Sequence, residues 1–344
     1  METSQLLDML PQAAFLVRDG VIRYVNPAAA GYLLEVGTSI ETLLHTGIQE
    51  YSEFRDGSLC LQLQLGTVLW DATVQRGNDG DLFLLDQPQE DPALQALSLA
   101  AMKLRAPLSG AMSAAEQLLQ AFPDDPQGAR MQRSLHQLLR QVGNMADAAR
   151  YGENPDGNRE LRDICAVLDE IFEKISTVAQ QAGVTVQYQG LAKTLICPVD
   201  SERLERAVYN LISNAVKFSK TGAVIEASLQ LRGQRLALTV RDSGEGIPAA
   251  LQSSLFHRYQ RQPGFEDPRQ GLGLGMVMIR AAASAHGGTV LTRTDDTGTQ
   301  VTLTFSLSVS SGQLRSPAFR VDYAGERDHS LVEFSDFLPP EAYQ

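Results

Sequence analysis

Asn210-Leu211-Ile212-Ser213-Asn214-Ala215-Val216-Lys217-Phe218 is the stretch on which the fold turns. Its apolar residues recur at helical spacing, and steps of four and three put Asn210, Asn214 and Lys217 on one helix face. Amide oxygens suit Mg2+ and a lysine suits phosphate, although a solvated helix face carries the same pattern. Downstream, Asp242-Ser243-Gly244-Glu245-Gly246-Ile247 directly follows the strand-like Arg235 to Arg241. A carboxylate at a strand end can accept from the amino group of a flat base, and Gly244 and Gly246 leave room for its ring; a plain surface turn has the same composition. Gly271-Leu272-Gly273-Leu274-Gly275 then opens a helical stretch whose N-terminus can hold an anion. No parallel strand directly precedes it, so the dinucleotide fingerprint fails, and alone it is an ordinary glycine-rich turn.

Around these motifs, residues from Glu160 to about Leu307 alternate helical and strand-like stretches. Helices are predicted over Leu161 to Ala182, Ser201 to Val216 and Leu274 to Ala285. Strands are predicted over Val184 to Tyr188, Val224 to Leu231, Arg235 to Arg241, Thr289 to Arg293 and Thr299 to Leu307. Turns at Gly233 and Thr297-Gly298 imply mixed pairing in an α/β sandwich rather than a doubly wound parallel sheet.

The order of the motifs resolves what each leaves open alone. Asn210 to Phe218, Asp242 to Ile247, Leu255-Phe256-His257-Arg258-Tyr259 and Gly271 to Gly275, followed by His286-Gly287-Gly288 and Gly298-Thr299, resembles the ATP-binding domain of sensor histidine kinases, with its N, G1, F and G2 boxes. The resemblance implies a Bergerat (GHKL) α/β sandwich that binds ATP and Mg2+. It implies that Asp242 contacts the adenine amino group with Gly244 and Gly246 beside it, that Asn214 holds the metal, and that Asn210 and Lys217 lie near the phosphates. Gly271, Gly273 and Gly275 would border a lid over Gln260 to Gln270, and Arg258 would contact a phosphate or the upstream helices. His257 departs from the pattern, which commonly has an acid there.

Upstream, Leu94, Leu97, Ala101, Leu104, Leu108, Met112, Ala115 and Leu119 mark one long amphipathic helix, ended by Pro123-Asp124-Asp125-Pro126. Met131, Leu135, Leu138, Val142, Met145 and Ala149 mark a second, and the pair forms a hairpin with an apolar face to cover, which a dimeric four-helix bundle would do. It resembles the family's dimerisation and phosphoacceptor domain through Met102-Lys103-Leu104-Arg105-Ala106-Pro107-Leu108, where the family has His-Glu-Leu-Arg-Thr-Pro-Leu. Met102 falls on the phosphoaccepting histidine, and a thioether cannot form a phosphoramidate. Lys103 replaces the acid that would take the proton, and Ala106 the hydroxyl that orients water. Of the five histidines, His136 alone lies in the hairpin, where it is expected to be partly exposed.

The first residues read as five strands around one or two small helices: Ala13 to Val17, Val21 to Val25, Leu59 to Leu65, Val68 to Val74 and Leu82 to Leu85, with a hairpin at Asp19-Gly20 and an Ala-rich helix from Asn26-Pro27 to about Leu34. Leu10 to Val17 and Arg23 to Ala30 resemble a PAS sensor module. Within 344 residues the chain thus reads as a multidomain α+β protein: a PAS-like domain at 1–88, the hairpin at 92–150, the ATP domain at 159–308 and a tail at 309–344. The tail's Phe334, Phe337 and Leu338 make it too apolar for a solvated linker, and it is expected to dock on the ATP domain or on a partner.

With 29 Lys+Arg against 41 Asp+Glu, the net charge of −12 repels nucleic acid and anionic membranes without forbidding one local anion site. Cys60, Cys165 and Cys197 lack zinc or dithiol spacing and are expected to be buried thiols. With no apolar run of about 20 residues, a cytoplasmic protein without membrane insertion is expected. The expectation is a homodimeric histidine kinase homologue that binds Mg-ATP, lacks its usual phosphoacceptor, and acts on a response regulator or a partner histidine kinase. The competing expectations are an active kinase that phosphorylates a histidine in trans or His136, and a serine kinase with the same ATP fold.

Overall fold

Asp19 and Gly20 both take positive φ (54° and 72°) and turn the chain between its first two strands, as their composition dictates. The computed structural model describes residues 3–86, 92–123, 125–153, 157–219, 222–247, 274–295, 297–307 and 327–343. A short helix α1 (Thr3–Asp8) precedes β1 (Ala14–Arg18) and β2 (Val21–Val25); α2 (Ile48–Glu53), β3 (Ser58–Leu65), β4 (Val68–Gly77) and β5 (Gly80–Asp86) complete the first module. The Ala-rich helix expected to reach Leu34 is only a 3-10 turn over Pro27–Ala29. Asn26 caps it, Gly31 follows it, and Leu33 at φ 53° leaves the helical region altogether. Phe15, Phe54, Phe83, Tyr51 and Trp70 fill the module's core.

Two long helices, α3 (Pro92–Ala121) and α4 (Pro126–Glu153), form the expected hairpin. Ala101, Leu108 and Met112 of α3 pack on Leu139 and Val142 of α4. Next come β6 (Glu160–Asp163), α5 (Ile164–Gln181), β7 (Thr185–Gln189), β8 (Ile196–Val199), α6 (Ser201–Phe218), β9 (Val224–Arg232), β10 (Arg235–Arg241), α7 (Gly275–Ala285), β11 (Val290–Asp295) and β12 (Gly298–Ser306). The helix expected from Leu161 begins later, because Glu160–Asp163 pairs with β8. Asp163 closes that strand and caps α5, accepting from Cys165 N at 3.2 Å and Leu195 N at 3.0 Å. β7 pairs with β9 in parallel and the other described pairs are antiparallel, the mixed sheet the turns implied.

The strands of the first module and those of the α/β region that follows the hairpin form one sheet, which the sequence pattern does not anticipate. Strand β3 pairs with β11 (Cys60 with Val290, Leu59 with Leu291, Ser58 with Thr292), giving one ten-stranded order β2-β1-β5-β4-β3-β11-β12-β10-β9-β7. Gly57 enters this seam at φ 85°, where a Cβ would lie 2.1 Å from the Thr292 carbonyl. Arg280 of α7 is buried and pairs with Asp71 and Asp86 of the first module, while Arg235 meets Glu50 at 2.9 Å and Arg293 meets Asp56 at 2.7 Å. The last described segment holds α8 (His329–Glu333) and a 3-10 turn at Pro340–Tyr343, and packs on α4, α5 and α6. The three cysteines are free and buried. Among the described residues no helix is long and apolar enough to cross a membrane.

One expectation about the hairpin changes. His136 is buried rather than partly exposed, its ring 4.8 Å from that of Tyr343, because the tail covers α4. The outer face of α4 is therefore closed from within the chain, whereas Leu99, Met102, Leu104 and Leu118 of α3 stay exposed.

His286 is held neutral: Nδ1–H donates to Ala282 O at 2.7 Å and Nε2 accepts from Asp200 N at 3.0 Å. Burial pushes its pKa, and that of His136, below the ordinary histidine value. The unfolded chain then binds more protons below pH about 6.5, so stability is full above that pH and falls as pH drops through it, by up to about 1.4 kcal/mol per pH unit per histidine. Urea midpoints measured from pH 7.5 to 5 should fall accordingly, and His286→Gln should flatten the slope. Truncating Arg280 to Ala strands Asp71 and Asp86 at the seam; a loss of about 3 kcal/mol in urea unfolding is expected.

Candidate functional site

Helix α6 is where the predicted residues meet. Asp200 caps it, accepting from Arg203 N at 3.1 Å, and its apolar side packs into the main core through Leu204, Val208, Leu211 and Ile212. The other side presents Asn210, Asn214 and Lys217 toward α7 and the tail. Asn210 is buried; its Nδ2 donates to Arg206 O at 2.8 Å, the helix's own previous turn. Gly275 lies against its other end, where a Cβ would stand 2.9 Å from Asn210 Oδ1. Asn214 Nδ2 approaches Met276 Sδ at 3.7 Å. Lys217 Nζ pairs with Asp336 Oδ2 of the tail at 2.8 Å.

Asp242 sits where β10 ends. Its Oδ1 accepts from Gly244 N at 2.9 Å and Thr299 N at 3.1 Å, while Oδ2 accepts no bond from the described residues. Burial pushes the carboxyl above the usual range, partly offset by the two backbone donors and by Arg241. The turn it starts folds back on α6: a Cβ on Gly244 would lie 2.4 Å from Phe218 O, so only glycine lets the two segments close. Gly246 takes φ 75° and turns the chain so that Ile247 N donates to Thr294 Oγ1 at 2.8 Å. Gly298 lets β12 pass equally close, since a Cβ there would stand 2.0 Å from Asp242 O.

The residues expected to surround a nucleotide are thus gathered on α6, the β10 end and the start of α7. They fit an adenine nucleotide: a held carboxylate with one oxygen available, glycines where side chains would fill the space, amide oxygens and a cation beyond. Arg258, His257, Gly271, Gly273 and the lid stretch 260–270 lie outside the described residues. Among the described residues no cluster of three or more His, Cys, Asp or Glu could hold a metal by itself, so a cation here would rely on Asn214 together with a ligand's own oxygens.

On the hairpin, Met102, Lys103 and Ala106 lie together on an exposed surface of α3, one turn from Pro107. Periodicity did not reveal two partners of the site: Arg140 of α4, whose Nη2 donates to Ser213 Oγ at 2.9 Å, and Asp336 of the tail. Both are charged residues beside apolar ones, a pattern shared with any solvated turn of helix.

Residues 199–309 match the family model of the histidine kinase-, DNA gyrase B- and HSP90-like ATPases. Sensor histidine kinase TmoS of Ectopseudomonas mendocina is 34% identical over 197 residues, covering 55% of this chain and 20% of that protein. Sensor protein QseC of Salmonella typhi is 30% identical over 197 residues, covering 56% of this chain and 42% of that protein. A solved structure of full-length ShkA in complex with AMPPNP is 21% identical, covering 63% of this chain and 47% of that one, with a TM-score of 0.49. The chain matches less than half the length of the curated relatives named here. The mixed α+β architecture, the ATPase family match over residues 199–309 and the two curated relatives support a sensor histidine kinase homologue with a GHKL-type ATPase domain.

Proposed function

We propose that this chain is an ATP-binding histidine kinase homologue of two-component signalling that has kept the nucleotide site and lost its own phosphoacceptor. The observation that carries it is the contrast between two places. Asp242, Gly244, Gly275, Asn210 and Lys217 converge on α6, while α3 presents a thioether at Met102 beside the cation Lys103.

In this function Asp242 Oδ2 accepts the amino group of adenine, oriented by the donors that hold Oδ1. Gly244 and Gly246 admit the ring. Asn210 and Lys217 serve the phosphates with Gly275 beside them, and the Asn214 amide oxygen holds Mg2+; the family resemblance assigns Gly271, Gly273 and Arg258 to the same nucleotide. Mg-ATP would supply a phosphoryl group activated for transfer; the chain offers no nitrogen nucleophile at the usual place, since a methionine sulfur cannot make a P–N bond, and Lys103 stands where the family has its acid.

The first module is read as a PAS-like sensor. Its aromatic core and its strand pairing to β11 support a role in passing a signal directly to the ATP domain. A homodimer through the hairpin is supported by the exposed Leu99, Met102, Leu104 and Leu118 of α3. The output is then a nucleotide-dependent conformation offered to a response regulator or a partner kinase in the cytoplasm. Burial of His136 against Tyr343 speaks against that histidine as a substitute acceptor.

Calorimetric titration with Mg-ATP tests the proposal: one site per chain is expected. Asp242→Asn should weaken binding about 10-fold or more, because a hydrogen bond to a charged group is worth about 1.5–3 kcal/mol. Unchanged affinity would remove the adenine assignment.

A further inference from the structure

The tail brings a carboxylate to the cation assigned to phosphate. Lys217 Nζ and Arg140 Nη1 both reach one oxygen, Asp336 Oδ2, at 2.8 and 2.5 Å. Neither is a free surface cation, since the two side chains are 11% and 7% exposed. The Arg140 guanidinium is fixed on its other edges, Nε against Glu333 Oε2 at 3.2 Å and Nη2 on Ser213 Oγ at 2.9 Å, so Nη1 is aimed. Two like charges held this close repel unless an anion lies between them.

We propose that Arg140 and Lys217 form a two-cation phosphate seat spanning the hairpin and the ATP domain, and that the Asp336 carboxylate occupies it as a tethered competitor of the nucleotide's phosphates. The proposal rests on the nucleotide assignment of Lys217 made above, and adds Arg140 as a phosphate contact that the family motifs do not contain.

The tail is built so that one acid is anchored and the other can leave. Glu333 is fully buried between Arg140 and Arg206, with Oε1 3.0 Å from Arg206 Nη1. Tyr209 and Ser330 hydroxyls meet at 2.7 Å, and Phe334 packs on the Tyr209 ring. Asp336 is 29% exposed, and its backbone is held separately. Arg133 donates to Ser335 O at 3.1 Å and Asp336 O at 2.8 Å, and Gln137 donates to Ser335 O at 3.1 Å. Exchange therefore requires rotation of one side chain and leaves α8 in place. Although burial opposes its charge, Arg140 and Lys217 hold the Asp336 carboxyl below the usual range, so it is an anion at neutral pH. A carboxylate carried on the same chain has a high effective concentration and fills the seat when nucleotide is scarce. A phosphate group brings more charge and more acceptor oxygens, and wins when nucleotide is abundant. Since Arg140 belongs to α4, exchange changes what the hairpin is tied to: a tail carboxylate in one state, the nucleotide in the other.

The test compares full-length protein with Asp336→Asn, titrating each with Mg-ATP and with adenosine, which lacks the phosphates. Thermal melting of both chains checks that the variant is folded. The expected result is ATP binding about 10-fold tighter in Asp336→Asn with adenosine affinity unchanged. Hydrogen exchange supplies a second readout: Mg-ATP should alter protection at 333–337 in the wild type and less in the variant. ATP affinity that is unchanged or weaker in the variant overturns the competitor while leaving the nucleotide site standing. Equal tightening for adenosine overturns it too, by showing a change that ignores phosphate. Failure of both chains to bind either compound overturns the nucleotide assignment and the seat with it.

Discussion

One buried carboxylate joins the tail to both the hairpin and the ATP domain. Glu333 reaches Arg140 on the hairpin with one oxygen and Arg206 on the ATP domain with the other, and none of its side chain is exposed. A buried acid of this kind is a net burden unless every partner is present, and removing one partner typically costs about 3–5 kcal/mol. The tail is therefore tied to α4 and to α6 through one buried acid. Arg206 extends the constraint by donating to Asn144 Oδ1 at 2.7 Å, so α4 is tied to the same helix that carries Asn210, Asn214 and Lys217.

That arrangement explains why α6 is the centre of function. Its apolar face is the floor of the ATP-domain core, its polar face carries the residues proposed for the nucleotide, and its first turn is capped by Asp200, which His286 also engages. From the opposite side, Arg280 of α7 binds the first module through Asp71 and Asp86. Helix α7 begins at Gly275, against Asn210, so the first module and the hairpin both bear on elements that border the same site. In the proposed function the chain couples its modules around a nucleotide, while Met102 places a thioether where the family resemblance puts the phosphoaccepting histidine.

Much of this was legible in residue order. Asp242 with its glycines, Asn210 to Lys217, and Gly275 are local motifs whose chemistry is written in their types, and they fold together because glycines permit the approach of Gly244 to Phe218 and of Gly275 to Asn210. The strands around Asp19-Gly20 and the long helices followed from period and turn chemistry. What stayed hidden were contacts between segments far apart in sequence. The β3–β11 seam uses three residues on each strand that look like any other edge. Glu160–Asp163 reads as the start of a helix and becomes a strand because Ile196–Val199 lies beside it. His136 is buried by residues some two hundred positions away, and Asp336 finds Lys217 across 119 positions. Periodicity reports which face of an element is apolar, and leaves open what covers it.

The central claim is that this chain binds Mg-ATP but passes no phosphoryl group to a histidine of its own. Incubation of the purified full-length protein with Mg2+ and γ-labelled ATP, at a nucleotide concentration shown by calorimetry to fill the site, tests it most directly. The account predicts bound nucleotide and no acid-labile, alkali-stable label on the chain. Appearance of such label in proportion to protein would contradict it.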